Sequence, residues 1–395
     1  MNPGITLRAI ATVLPLLFFM ASANAAPYIP TDGNQVLEHL PSRNDPAQAE
    51  FKRMRAELAA NPTDMNLATA LARRYIERSR NEGDPRYLGY AQAALTPWWK
   101  MPQPPIPVLV LRATLLQSTH QFDKSLLDLD SVLKLDRGNG QAWITRATIL
   151  QVQGKYLEAS RSCEHLYQLA PELITLTCLN NIANLDGQAE KSYTQLRDAL
   201  VNSHESNPDI QIWVLTLLAE MAERLGNTAT AEAHFRQAMK LEDPDTYLLG
   251  AYADFLLDHQ RPAEVLPLLK NKTRVDALLL RYALALKALN SAEAAIQTEV
   301  LKQRFDAAML RGDTVHQREQ SRFELHLRNN SQAALKIAQL NWMVQKEPAD
   351  VRVLLEAAAA ANDKAAAKPI LDWLQQTHME YAALKPLINK LSTGS

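Results

Sequence analysis

The residues able to do chemistry are thinly spread along the chain. The nine histidines are His39, His120, His165, His204, His234, His259, His316, His326 and His378. A helical zinc site wants two of them three or four positions apart, and no H-x3-H or H-E-x-x-H pair occurs. Cys163-x-His165 with Cys178 offers two sulfurs and an imidazole. A tetrahedral metal site needs a fourth ligand, and none stands at a suitable spacing. Asp128 and Asp130 are neighbouring carboxylates of the kind that divides acid and base work. Their place on an amphipathic helix marks them as solvated surface charge. No G-x-S-x-G elbow, P-loop or G-x-G-x-x-G is present. The expectation is a protein that is not an enzyme, with no catalytic, cofactor-binding or metal-ligating residues and no cofactor.

The elements that would have to position any site are helical. The chain has 395 residues, 47% of them apolar, with 12 Gly, 21 Pro and 2 Cys. Scarce glycine and abundant alanine and leucine favour helix and give little material for β-turns. Forty-two basic residues face 43 acidic ones, a net charge of -1. That balance argues against nucleic acid as a partner, since its binders carry a basic surplus. Two cysteines exclude a disulfide-dense scaffold.

The first 25 residues read as an address. Arg8 precedes an apolar run from Ala9 to Met20, and Ala23-Asn24-Ala25 fits the small-x-small cleavage pattern. A signal peptide cleaved after Ala25 would place the mature protein in the periplasm. The run is short for a membrane helix, and no second apolar stretch of about 20 residues follows, so no membrane span is expected in the mature chain.

The interior repeats itself. Trp143-x2-Arg146-Ala147-x2-Leu150 is followed by Gly154, Tyr156, Ala159-x3-Cys163 and Pro171. Thirty-four residues earlier stands Leu109-x2-Arg112-Ala113-x2-Leu116, with Phe122 after it. The offsets return at Leu215-x2-Leu218-Ala219-x2-Ala222, with Gly226 and Ala231-x3-Phe235. They recur at Leu249-x2-Tyr252-Ala253-x2-Leu256, at Leu279-x2-Tyr282-Ala283-x2-Leu286 and, near the start, at Ala68-x2-Leu71-Ala72-x2-Tyr75. Leu176, Leu179, Asn180 and Ala183 form a departing version. Ala334-x3-Ala338 and the Leu354, Ala357, Ala358, Ala361 series extend the pattern late in the chain. One such match is ordinary helix amphipathicity; several in near-constant register are a repeat.

The chain resembles the tetratricopeptide repeat (TPR) family from about residue 45 to about 380. The resemblance implies an all-α, right-handed superhelical α-solenoid of about eight or nine helix pairs. A small residue such as Ala147 lets two helices approach, and large ones such as Trp143, Leu150 and Tyr156 fill the space between them. One pair cannot bury its own apolar face, so pairs stack. The domain reading is a signal peptide at 1–25, an extended lead-in at 26–45 and an N-terminal helical block at 46–96. A Pro/Trp-rich linker at 97–107 follows, extended because of its four prolines from 102 to 107, with Trp98 and Trp99 either capping the array or docking a partner. The best-matched array covers 108–275, and degenerate pairs with a C-terminal cap cover 276–392.

In this family the first helix of each pair lines a concave groove. The register places Val110, Thr114, Gln117, Ile144, Thr148 and Gln151 in a neutral first part. Thr216, Glu220, Glu223, Asp254 and Asp258 follow in a later, acidic part that would prefer a basic partner. Thr and Gln could hydrogen-bond an extended peptide. The expected function is a periplasmic scaffold binding a protein or peptide in an envelope or secretion complex. The alternative is an enzyme, or a regulatory subunit of one, with a site at one end of the solenoid. The resemblance also places Cys163 on a second helix and Cys178 on the next first helix, with the turn near Pro171 almost midway. In an oxidising compartment that favours a Cys163–Cys178 disulfide over two free thiols.

Overall fold

A computed structural model describes residues 46–241 and 244–392. The chain divides into two compact units, residues 1–50 and 51–395, and the helix pairs belong to the second. The expected signal peptide and lead-in lie outside the described residues. Every regular element among those described is helical. After α1 (Pro46–Ala60) come α2 (Met65–Glu82) with α3 (Arg86–Ala94), then the short α4 (Thr96–Trp99). The array continues with α5 (Ile106–Ser118) and α6 (Phe122–Leu135), α7 (Gly140–Val152) and α8 (Tyr156–Glu164), α9 (Glu172–Leu185) and α10 (Ala189–Asn202). Next are α11 (Pro208–Arg224) and α12 (Thr228–Ala238), α13 (Thr246–Asp258) and α14 (Pro262–Leu269), α15 (Asp276–Ala288) and α16 (Glu293–Leu310). The last pairs are α17 (Gln317–His326) with α18 (Ser331–Trp342) and α19 (Pro348–Ala360) with α20 (Lys364–Thr377), followed by α21 (Lys385–Ser392). Among the described residues nine pairs pack side by side into an α-solenoid of TPR-like design.

The spacing explains the pairing. Ala72, Ala113, Ala147, Ala219, Ala253 and Ala283, the small residues of the repeat, are all fully or almost fully buried. With no side chain beyond Cβ they let the second helix lie against the first. Gly154 and Gly226, at the turns inside their pairs, hold φ of 73° and 83°, a left-handed conformation that glycine reaches without strain. Asp64, Asn139, Asp245, Asn330 and Asp363 each accept a hydrogen bond from a backbone N–H in the first turn of the helix they precede, satisfying a donor the helix cannot.

Two local expectations fail. The stretch 97–107 is not wholly extended: Pro97 lies in α4 and Pro107 in the first turn of α5. A proline there gives up an N–H that has no intrahelical partner in any case. Trp98 is buried and the Arg112 guanidinium donates to the Trp99 carbonyl at 2.6 Å, which ties α4 to α5. Asp128 is not solvated. Arg112 holds both its oxygens at 2.7 Å and ties α5 to α6. Asp130 pairs with Arg146 at 3.2 Å.

The Cys163–Cys178 disulfide joins α8 to α9, with the Cα atoms 5.8 Å apart. Both cysteines are buried in one apolar cluster with Ala147, Tyr156 and Ile182.

The solenoid returns on itself. Met379, from beyond α20, is buried in that same cluster, and Trp373 and Leu374 of α20 pack on it. The Lys346 N–H donates to the Val152 carbonyl at 2.8 Å. A Cβ built on Gly154 would lie 3.3 Å from the Trp373 indole nitrogen, on Gly187 2.8 Å from the His378 Cβ, and on Gly226 3.4 Å from the Ala382 Cβ. The turns of three successive pairs therefore abut one C-terminal path. At the other end Thr246 donates to the Arg80 carbonyl at 3.1 Å.

Candidate functional site

The inner wall is built by the first helices of the pairs, and its two parts differ. In the neutral part, Thr114 is buried and its hydroxyl donates to the Val110 carbonyl at 3.0 Å. Thr148 does the same to Ile144 at 2.9 Å. A hydroxyl satisfied by its own helix, one turn back, has little to give a peptide. Gln151 accepts from the Asn181 amide at 3.0 Å, so it bridges α7 to α9. Ile144 packs in the apolar cluster with Trp373 and Leu374, and Val110 in the neighbouring cluster with Val344. Gln117 is half-buried.

In the acidic part, Thr216 is fully buried and bonded to its own helix at the Ile212 carbonyl, 2.7 Å away. The carboxylates meet cations and donors of the same chain. Tyr247 of α13 donates to Glu220 of α11 at 2.9 Å. Glu223 sits 3.0 Å from the His259 ring, while its Oε2 is buried without a partner. Asp254 is gripped by Arg281 at 2.6 Å and by Arg322 of α17 at 3.0 Å. Asp258 pairs with Arg352 of α19 at 2.7 Å, and Arg352 continues to Glu356, also 2.7 Å away. The basic partner that this acidic part would prefer is supplied by the chain's own α17 and α19.

Electrostatics follows the geometry. Burial pushes the Asp254 carboxyl up, but Arg281 and Arg322 outweigh it and hold it well below the usual carboxylate range. Burial opposes His326 and Arg352 at Glu356 in the same way, and the two bring it to about 2. Glu220 moves the other way: burial raises it, against the pull of Arg224 and the Tyr247 hydroxyl. Asp350, which accepts from the Asn341 amide at 2.8 Å, is raised to about 6 by burial although Arg318 stands near.

Of the residues the sequence picked, Glu220, Glu223, Asp254 and Asp258 form one connected wall. Thr114 and Thr216 do not face a groove at all. The residues that sequence reasoning missed are Tyr247, Arg318, Arg322, Arg352 and Glu356. A signal existed, because four inward carboxylates on α11 and α13 demand cations. The register concealed which ones. Carried on to α19, it turns Ala359 inward, and Arg352 and Glu356 share that face two turns and one turn earlier, but no spacing says that this helix meets α13. Among the described residues no group of three or more His, Cys, Asp or Glu could hold a metal ion, and no helix is long and apolar enough to cross a membrane.

No family model matches the sequence, and no curated protein does. Solved structures share the architecture loosely. A tetratricopeptide repeat protein from Parabacteroides merdae is 15% identical with a TM-score of 0.40, over 65% of this chain and 91% of that one. A monomeric mutant of IFIT1, solved with Gppp-AAAA, is 14% identical with a TM-score of 0.42, over 88% and 85%. Yeast Tom70 is 12% identical with a TM-score of 0.32, over 89% and 92%. The TPR-like architecture of this chain rests on its own nine helix pairs and their spacing.

Proposed function

We propose that the protein is an exported scaffold of the bacterial periplasm. It binds a protein or peptide partner and helps assemble an envelope or secretion complex. The observation that carries this reading is the row of nine stacked pairs. Such a row exposes a long, fixed surface, and extended surfaces of this kind serve binding. The leader-like pattern at 1–25 and a disulfide between α8 and α9 agree with an oxidising compartment outside the cytoplasm. The experiment is purification of the tagged full chain from a periplasmic extract, with intact-mass measurement and identification of what travels with it. A mature chain beginning at Ala26 with a stoichiometric partner is the expected result. A full-length chain confined to the cytoplasm removes the export half. A mature chain that stays alone after crosslinking in the cell removes the scaffold half.

A further inference from the structure

Away from the self-occupied inner wall, a cleft of about 950 Å³ opens between α8 and α10. Its floor is α9. One side is α8 with the residues just after it, among them Ser160 and Tyr167; the other is α10 and the loop that follows, to Glu205. The cause lies in the departing repeat. Where four other pairs carry leucine, at Leu116, Leu150, Leu256 and Leu286, α9 carries Ala183. Where those pairs carry alanine, α9 carries Asn180. Alanine also stands there in α11, at Ala222, where it is fully buried, whereas in α9 the thin side chain leaves Leu176 and Leu179 lining an open groove. The disulfide clamps α8 to α9, so that wall is held in place.

Apart from His204, the charged groups of the rim have one sign. The carboxylates lining the cleft are Glu172, Asp198 and Glu205, and no lysine or arginine lines it. Arg197 answers Asp198 at 2.7 Å from outside the lining, which leaves Glu172 and Glu205 facing the opening. Glu205 accepts from the Asn207 N–H at 2.8 Å. Tyr167, 59% exposed, extends the apolar floor at the mouth. A greasy floor under an anionic rim selects an aliphatic side chain flanked by cations.

We propose that this cleft is the docking site for a short basic segment of a protein partner, with a leucine-like side chain on the α9 floor and a lysine or arginine at Glu172 and Glu205. This rests on the scaffold reading and adds the surface and the partner chemistry to it. The chain's own residues 26–45 are a poor match, since they carry Asp32, Glu38 and Asp45 against Arg43.

The test is fluorescence anisotropy of the full mature chain with a capped, labelled Lys-Leu-Lys-Leu-Lys peptide, using Glu-Leu-Glu-Leu-Glu as its mirror. Saturable binding of the basic probe alone is expected, with a Kd on the order of 10–100 μM for so short a ligand. Ala183→Leu gives α9 the bulk of those four pairs, keeps the melting temperature, and should weaken the probe at least about tenfold by filling the groove. Glu172→Gln with Glu205→Gln removes two charges while keeping acceptors, and should weaken it about fivefold at low salt. Equal binding of the two peptides, no binding of either, or an unchanged affinity in the well-folded Ala183→Leu chain each overturns the proposal. If a co-purifying partner stays bound to Ala183→Leu, the cleft proposal fails while the scaffold reading stands. If the probe binds as expected but no partner is found in the cell, the scaffold reading fails instead.

Discussion

The two parts of the inner wall are sealed by different forces. Beside the neutral part, Trp373, Leu374 and Met379 bury apolar surface against Tyr156 and its neighbours, and Gly154 admits Trp373, and Gly187 His378, at close range. Beside the acidic part the same C-terminal region arrives with charge, through Arg322 and Arg352. Apolar burial has no charge to screen or to titrate, whereas ion pairs respond to both salt and acid. One return of the chain is thus fastened at one end by packing and at the other by electrostatics, and the two ends should be separable by experiment.

The largest effect should come from the packed end. Trp373→Ala empties the space beside Tyr156 and Trp342, with which the indole makes ring contacts at 6.1 and 5.2 Å. About 3 kcal/mol of stability should be lost, read from urea melts. A change under about 1 kcal/mol would mean that α20 is only laid against the wall. Next comes a matched pair of glycine variants. Gly187 and Gly312 have φ of 75° and 71°, so alanine at either costs roughly 1 kcal/mol of left-handed strain. At Gly187 the new Cβ also meets His378, whereas at Gly312 nothing stands within 4 Å. Gly187→Ala should therefore cost about 1–2 kcal/mol more than Gly312→Ala, and equal losses would remove that contact from the seal.

At the charged end Arg322→Ala leaves Asp254 with Arg281 alone. The loss should be about 2 kcal/mol, below the roughly 3–5 kcal/mol of a buried charge left wholly unpaired. The smallest effect is that of mild acid. Asp254 and Glu356 have folded pKa values below their ordinary ones. The stability they add is present at neutral pH and is lost as the pH falls from about 5 toward 2. Asp350 has the opposite slope: raised to about 6, it favours the fold as it protonates between pH 6 and 4. Hydrogen exchange should show α17 and α19 losing protection between pH 4 and 3 while α20 keeps it. Loss of both together would erase the distinction between the two ends.

The helix pairs and the disulfide were legible because their signals are local. Ala147 and Gly154 report a close approach and a turn within one pair, Pro171 reports the turn to the next pair, and Cys163 and Cys178, 15 positions apart, flank that single turn. The cleft was half legible, since Asn180 and Ala183 visibly break the pattern. The return of the C-terminal region was not. Asp258 and Arg352 are 94 residues apart in the chain, and no periodicity links them. Pro97 and Pro107 misled because a proline forbids a helix interior but suits its first turn.

The hydrogen bond from Lys346 to the Val152 carbonyl also has a consequence in time. A ribosome adding roughly 5–20 residues per second needs about 10–40 s to make the stretch between these two residues. Throughout that interval the early pairs can form, yet the wall around Tyr156 stays bare. The last part of the chain to be made is the part that locks the first, so a product ending before Lys346 would keep its pairs and remain permanently unlatched.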